Sequence, residues 1–277
     1  MSRNRPKSVK NPKKISRPSK PSKPNNQAII YGINTVELLL SKLPHKIITV
    51  FYEDKSDHKI ANNRINKIIN LAKANQIPVQ LIKPTTIDKW FSEQVNHQGV
   101  LAQITPTASL NEADLIGLIT DKLETNPVVL VLDNIQDPRN LGACLRNALA
   151  FGVTAVVLSK NASCDITPTV KKVACGAADL VPIAKVSNLD SCLKKLQQLG
   201  VWTIALDASG SQDLAAIDLN MPLALVLGSE DKGVRRIIKE HSDFIAKIPM
   251  QHTGIDSLNL SVAAGICLYE VVRQRIS

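Results

Sequence analysis

Aromatic residues make up only 3% of this 277-residue chain. An RNA-recognition-motif sheet, which stacks bases on several exposed rings, has few residues here to build it. Cysteine is sparse as well. Cys144, Cys164, Cys175, Cys192 and Cys267 form no CxxC pair, and their odd number argues against a disulfide framework. That usage fits a reduced, intracellular protein. The five histidines include no HExxH and no i, i+4 pair, so no metal is implied. No run of 18 apolar residues is present to span a bilayer, and no apolar core follows the basic N-terminus to make a secretory signal. A soluble cytoplasmic protein without a membrane partner is expected. Neither GxGxxG nor GxxxxGK(S/T) occurs, which removes the dinucleotide fingerprint and the phosphate loop.

Acidic side chains are missing from one place in particular. Residues 1–26 carry Arg3, Arg5, Lys7, Lys10, Lys13, Lys14, Arg17, Lys20 and Lys23 and no Asp or Glu, while the rest of the chain is nearly neutral, so almost all of the net charge of +10 sits there. This Pro-, Ser- and Lys-rich stretch has too little apolar surface to offset its ordering entropy and reads as a disordered basic arm. Such an arm would hold polyanions through their phosphates without sequence specificity. A solvated tail that aids solubility is the equally open alternative.

What is present is a chain of alternating strands and helices. Gly32-Ile-Asn34-Thr-Val-Glu37 predicts a helix start, with Asn34 as N-cap and Glu37 completing a capping box. Strand-like runs at 47–52, 79–82 and 100–104 alternate with helical patterns at 59–75 and 85–95, which makes residues 27–105 a small α/β unit. Residues 106–126 read as a polar linker with one helix at 112–123. From 127 to 277 the apolar runs at 128–132, 155–158, 201–206, 223–227 and 244–248 have the continuous hydrophobicity of strands covered on both faces. With helices between most of them, they predict an α/β, mostly parallel sheet.

Three polar segments follow apolar runs in this second unit: residues 133–146, 228–233 and 248–261. Ligands in open α/β sheets bind beyond the carboxyl ends of strands, so three such segments on neighbouring strands would converge on one site. In the first, Asp137-Pro138 is a helix-start signal that puts Asn140 in the first turn. Arg146 then falls with Gly142 and Ala150, off the apolar face of Leu141, Leu145, Ala148 and Leu149. Taken alone, Arg146 is an ordinary surface arginine and Asn140 a structural cap. In the second, Gly228 and Gly233 bracket Glu230, as glycines do at a tight turn or a close backbone approach. The third ends in Ser257-Leu-Asn259-Leu-Ser261, of which capping would explain one residue but not the row.

Asn140 with Arg146, Gly228 with Glu230 and Gly233, and Ser257-Leu-Asn259-Leu-Ser261 resemble motifs 1, 2 and 3 of the SpoU/TrmH ribose 2′-O-methyltransferases. Lys171-Lys-Val-Ala-Cys-Gly-Ala-Ala178, Met250 and the run from Gly265 to Arg275 are similar to the branch that methylates a guanosine of bacterial 23S ribosomal RNA. Tyr31-Gly-Ile-Asn-Thr-Val and His97-Gln-Gly-Val resemble the ends of that branch's L30e-like RNA-binding domain. The basic arm departs from the compact members, as does Asp256, where a small residue is usual.

The resemblance implies a C-terminal α/β trefoil knot and S-adenosylmethionine as cofactor, bound by position at Leu206, Leu227, Gly228, Ile248, Ser257 and Leu258. It implies a homodimer with active sites at the subunit interface. Arg146 would activate the ribose 2′-oxygen, while Asn140, Glu230 and Asn259 would hold ribose, arginine and loop in register. Because a guanidinium stays protonated, electrostatic stabilisation of the developing alkoxide suits Arg146 better than general-base catalysis. The same reaction on transfer RNA, and a non-catalytic RNA-binding ribosome-assembly factor, are the alternatives.

Overall fold

The computed structural model describes residues 29–53, 59–87, 89–91, 95–105, 108–251 and 257–276. The basic arm at 1–26 and Asp256 lie outside the described residues.

The first unit is a four-stranded sheet ordered β1 (Ile29–Tyr31), β4 (Val100–Ile104), β2 (Ile47–Tyr52), β3 (Val79–Leu81). β4 runs antiparallel to β1 and β2, while β2 and β3 are parallel. Helices α1 (Ile33–Lys42) and α2 (Lys59–Ala74) bury Val36, Leu39, Leu40, Ile65 and Ile68 in one core with Val50 and Ala102 of the sheet. A second cluster joins Phe51 to Trp90, with ring centroids 4.9 Å apart and planes at 75°. Among the described residues the helix expected at 85–95 is the single turn α3 (Pro84–Ile87), and the turn that follows brings Trp90 into the core, where its edge-to-face packing on Phe51 favours that path over further helix.

The start of α1 also differs from expectation. Gly32, at φ +94°, is the N-cap residue, and the side-chain acceptor comes from 65 residues away: Ile33 N donates to Gln98 Oε1 at 2.9 Å. Gly32 N bonds Val100 O, which ties the turn to β4 and brings Gln98 within reach. Asn34 and Glu37 are released from capping. Both accept from the Arg64 guanidinium on α2, and Glu37 also accepts from Lys67.

The second unit is a seven-stranded sheet in which every pairing is parallel. Its order is β7 (Ile183–Val186), β6 (Ala155–Ser159), β5 (Val128–Leu132), β10 (Leu223–Leu227), β8 (Trp202–Leu206), β11 (Phe244–Lys247), β9 (Gln212–Asp213). Every residue of β5, β6 and β10 is buried, as expected for strands sandwiched between helices. β7 was not expected, because Pro182 and Lys185 break its apolar run; Lys185 turns outward to Asp165. Before β5, Leu110 bridges to Ala184 on the β7 edge, and α4 (Glu112–Thr120) starts from an Asn111–Asp114 capping box. α4 buries Leu115 and Ile119 on the same sheet.

Two helix crossings position the site. α5 (Pro138–Ala150) meets α6 (Pro168–Ala174) at Gly142, where a Cβ would fall 2.7 Å from Val173 Cβ and 2.9 Å from Val170 O. The face shared by Gly142 and Arg146 is thus covered by α6 at one end and open at the other. The last helix, α10 (Leu260–Ile276), crosses α5 on Gly265, with Asn147 Nδ2 donating to Ser261 O at 2.8 Å. Its far end is held by Arg275, which donates to the carbonyls of Asn126, Leu219 and Met221.

Candidate active site

The three polar segments leave β5, β10 and β11 and meet at one point. Asp137 caps α5 by accepting from Arg139 N at 2.8 Å, and Pro138 occupies the first helical position. That start places Asn140 in the first turn, 8% exposed, with its amide turned inward. Beyond β10 the chain doubles back, Gly233 N donating to Ser229 O at 2.8 Å with Gly233 at φ +63°. A Cβ on Gly228 would fall 1.8 Å from the Gly233 carbonyl carbon, so no side chain fits there. This fold-back directs Glu230 toward Asn140.

Glu230 Oε1 is the hub. It accepts from Asn140 Nδ2 at 2.5 Å, from Asn259 Nδ2 at 2.7 Å and from Leu260 N at 3.5 Å. Asn259 Nδ2 also reaches Asn140 Oδ1 at 3.1 Å, closing a triangle between residues 90 and 119 positions apart. Asn259 caps α10 at the same time, its Oδ1 accepting from Ser261 N at 2.9 Å and Ser261 Oγ at 2.7 Å. Each amide therefore uses both ends, which fixes its orientation. Cys144 packs one turn below. Burial first, and the Glu230 charge second, push its thiol up to about 12.

Against this triangle lies a cavity of about 250 Å³. All six positions expected to bind cofactor, Leu206, Leu227, Gly228, Ile248, Ser257 and Leu258, line it, together with Glu230. Sequence reasoning missed Asp207, which also lines it. Its Oδ1 accepts from Ser209 N and Ser209 Oγ at 2.9 and 2.6 Å, and its Oδ2 from Lys239 Nζ at 2.9 Å. Burial opposes ionisation of Asp207, but the Ser209 and Lys239 bonds outweigh it and hold the carboxyl below its usual range. The available signal was its place directly after Leu206, at the carboxyl end of β8.

Arg146 stands apart from the triangle. It is exposed, and its Nη1 lies 3.8 Å from Cys175 Sγ at the end of α6. The sequence places it beside Asn140 in one motif, yet nearly two helical turns separate them on α5.

Two family models match the chain. The SpoU rRNA Methylase family covers residues 127–269, and RNA 2′-O ribose methyltransferase substrate binding covers residues 29–109. The chain belongs to the SpoU rRNA methylase family. It is 42% identical over 246 residues to the 23S rRNA (guanosine-2′-O-)-methyltransferase RlmB of Pseudomonas putida, spanning 89% of this chain and 96% of that one. Identity to the RlmB of Pasteurella multocida is 41% over 249 residues, or 90% and 98% of the two chains. The SpoU methyltransferase AviRb of Streptomyces viridochromogenes, solved in complex with the cofactor AdoMet, superposes with a TM-score of 0.67 at 20% identity over 90% of each chain. That likeness carries the fold: the SpoU α/β-knot unit behind a small α/β unit, as the resemblance implied. Among the described residues no helix is long and apolar enough to cross a membrane, and no group of His, Cys, Asp and Glu could hold a metal.

Proposed function

We propose that this SpoU-family chain transfers a methyl group from S-adenosylmethionine to the ribose 2′-oxygen of a guanosine in bacterial 23S ribosomal RNA. The observation that carries the reading is the Asn140–Glu230–Asn259 triangle standing at the wall of the Leu206–Leu227–Ile248 cavity. The rRNA substrate comes from RlmB relatives matched over nearly their whole length.

The residues suit the cofactor. Leu206, Leu227, Ile248 and Leu258 offer an apolar slot for an adenine, and the Glu230 carboxylate, which has no cationic partner among its bonds to Asn140, Asn259 and Leu260 N, favours a cationic ligand. S-Adenosylmethionine, when bound, supplies a methyl group already activated by its sulfonium charge. The protein's task is to align the 2′-oxygen and stabilise the charge that grows on it. Glu230 keeps Asn140 and Asn259 in one orientation, so their position toward the ribose is set before RNA arrives. Arg146 stays protonated and neutralises the developing alkoxide.

The distance of Arg146 from the triangle supports a dimer. Val262, Ile266 and Tyr269 repeat along one face of α10 and are 50%, 40% and 56% exposed. With Ala143 and Asn147 of α5, and Phe151 just past its end, they line a groove of about 510 Å³. An apolar stripe of this kind suits a second copy related by a two-fold axis. Arg146 is next to Asn147 of that groove along α5 and is exposed, so a second copy seated there would come near it. Residues 27–105 would recognise RNA, the linker 106–126 would join them to the methyltransferase unit at 127–277, and the arm 1–26 would add phosphate contacts. The work would take place in the cytoplasm, with the ribosome.

Mapping ribose methylation across all RNAs of the source bacterium, with and without this gene, tests the reading. Loss of one guanosine methylation in 23S rRNA is expected. Loss in a transfer RNA instead would keep the chemistry and replace the substrate, and no loss from a strain without a redundant enzyme would favour a binding factor.

A further inference from the structure

Between α6 and α7 (Ala177–Leu180) the chain makes a turn of two consecutive left-handed residues, Cys175 at φ +50° and Gly176 at φ +93°. A non-glycine residue in this region is uncommon and needs surroundings that hold it. Here both sides of the turn are engaged. On one side Cys175 Sγ donates to Lys172 O at 3.6 Å and receives Arg146 Nη1 at 3.8 Å. On the other, Gly176 faces α1 of the N-terminal unit: a Cβ at Gly176 would lie 3.3 Å from both Thr35 Cγ2 and Leu39 Cδ1, and 3.7 Å from Leu38 Cδ2. Leu180, at the end of α7, packs against the hydrophobic core that contains Val36, Leu39 and Leu40.

The turn therefore faces the proposed RNA-recognition unit at Gly176, where little space is left for a side chain, and meets the proposed transfer arginine at the adjacent Cys175. A thiol can accept from a guanidinium and donate to a carbonyl at once, so Cys175 limits the rotamers open to Arg146. The backbone is anchored from behind as well, because Gly142 holds α5 against α6 with no room for a Cβ. Leu180 in the N-terminal core and the tight space at Gly176 give α1 a path to the thiol through this turn.

We propose that Cys175 is the positioning residue of Arg146, and that the seating of the N-terminal unit on the Cys175–Gly176 turn sets where that arginine stands during methyl transfer. The proposal rests on the 2′-O-methyltransferase reading. Wild-type turnover on a 23S rRNA fragment is measured first, so failure of that reading shows as no wild-type activity and is separate from failure of this one.

Steady-state kinetics on the full chain, with cofactor and RNA affinities measured in parallel, make the test. Cys175→Ala is expected to lower kcat about fivefold, the scale of one lost hydrogen bond, with both affinities unchanged. Cys175→Ser retains a donor and an acceptor on one atom and is expected to restore most of that loss. Leu180→Ala loosens the seat against α1 and is expected to lower kcat similarly, and the double variant Cys175→Ala/Leu180→Ala to be no slower than the slower single variant. Unchanged kcat in Cys175→Ala would overturn the proposal, as would a serine variant no better than alanine. Losses that multiply in the double variant would show that the seat does not act through the turn. A fall in RNA affinity alone would make the α1 contact a matter of substrate capture.

Discussion

Gly228 and Gly233 lie back to back, so close that a methyl group on the first would sit 1.8 Å from the carbonyl carbon of the second. The fold-back they allow carries Glu230 to Asn140. Gly228→Ala must push the two backbones apart, which is expected to cost about 3 kcal/mol or more of stability. Cofactor affinity should fall with it, since Gly228 and Gly233 both line the cavity. Thermal melts with and without S-adenosylmethionine check both effects; a variant with wild-type stability and cofactor affinity would show that the fold-back tolerates a side chain.

Arg146 takes no part in the cavity or the triangle. Arg146→Ala is expected to slow methyl transfer by on the order of 10²–10³-fold, the scale of losing one charge-stabilising group. Calorimetric affinity for the cofactor should be unchanged. Turnover at the wild-type rate would remove Arg146 from the mechanism.

Gln98→Ala removes the side-chain acceptor of Ile33 N at the α1 N-terminus and should cost about 1 kcal/mol in a urea titration. Asn34→Ala touches only an exposed bond to Arg64 and should stay within about 0.5 kcal/mol. The reverse ranking would restore Asn34 as the cap.

That contrast marks where the sequence was legible. Asp137-Pro138 was readable because cap and helix are neighbours along the chain, and the structure has Asp137 bonded to Arg139 N. Gln98 was not, because its partner lies 65 residues away and only the β1–β4 pairing brings them together. The fully buried strands β5, β6 and β10 stood out as unbroken apolar runs, while β7 was hidden by Pro182 and by Lys185, which faces outward. In the site, Asn140, Glu230 and Asn259 were found by motif, and the six cavity positions by resemblance. Neither route gave Asp207 or the Cys175 contact of Arg146, which follow from tertiary packing.

Glu270 provides a pH test. The Arg273 guanidinium, working against burial and assisted by Gln274, brings its carboxyl from the ordinary 4.5 down to about 2. A carboxyl depressed on folding stabilises the protein above its unfolded pKa, and that stabilisation is lost as pH falls through the folded value. Wild type should therefore be more stable than Glu270→Gln at neutral pH, with the gap closing between about pH 4.5 and pH 2. Melting temperatures of both proteins across that range check it; a gap that does not change with pH would assign the effect to shape rather than charge.

Asn259 completes a triangle whose other corners lie 119 and 29 positions earlier, and α10, which it caps, is fastened by Arg275 to carbonyls as far back as Asn126. During translation every strand of the sheet is synthesised before this closing piece. A nascent chain with α10 still inside the exit tunnel has Glu230 and Asn140 but no third corner. Truncation before Asn259 would therefore leave every strand of the sheet in place and still remove the third corner of the site, together with the helix that fastens it.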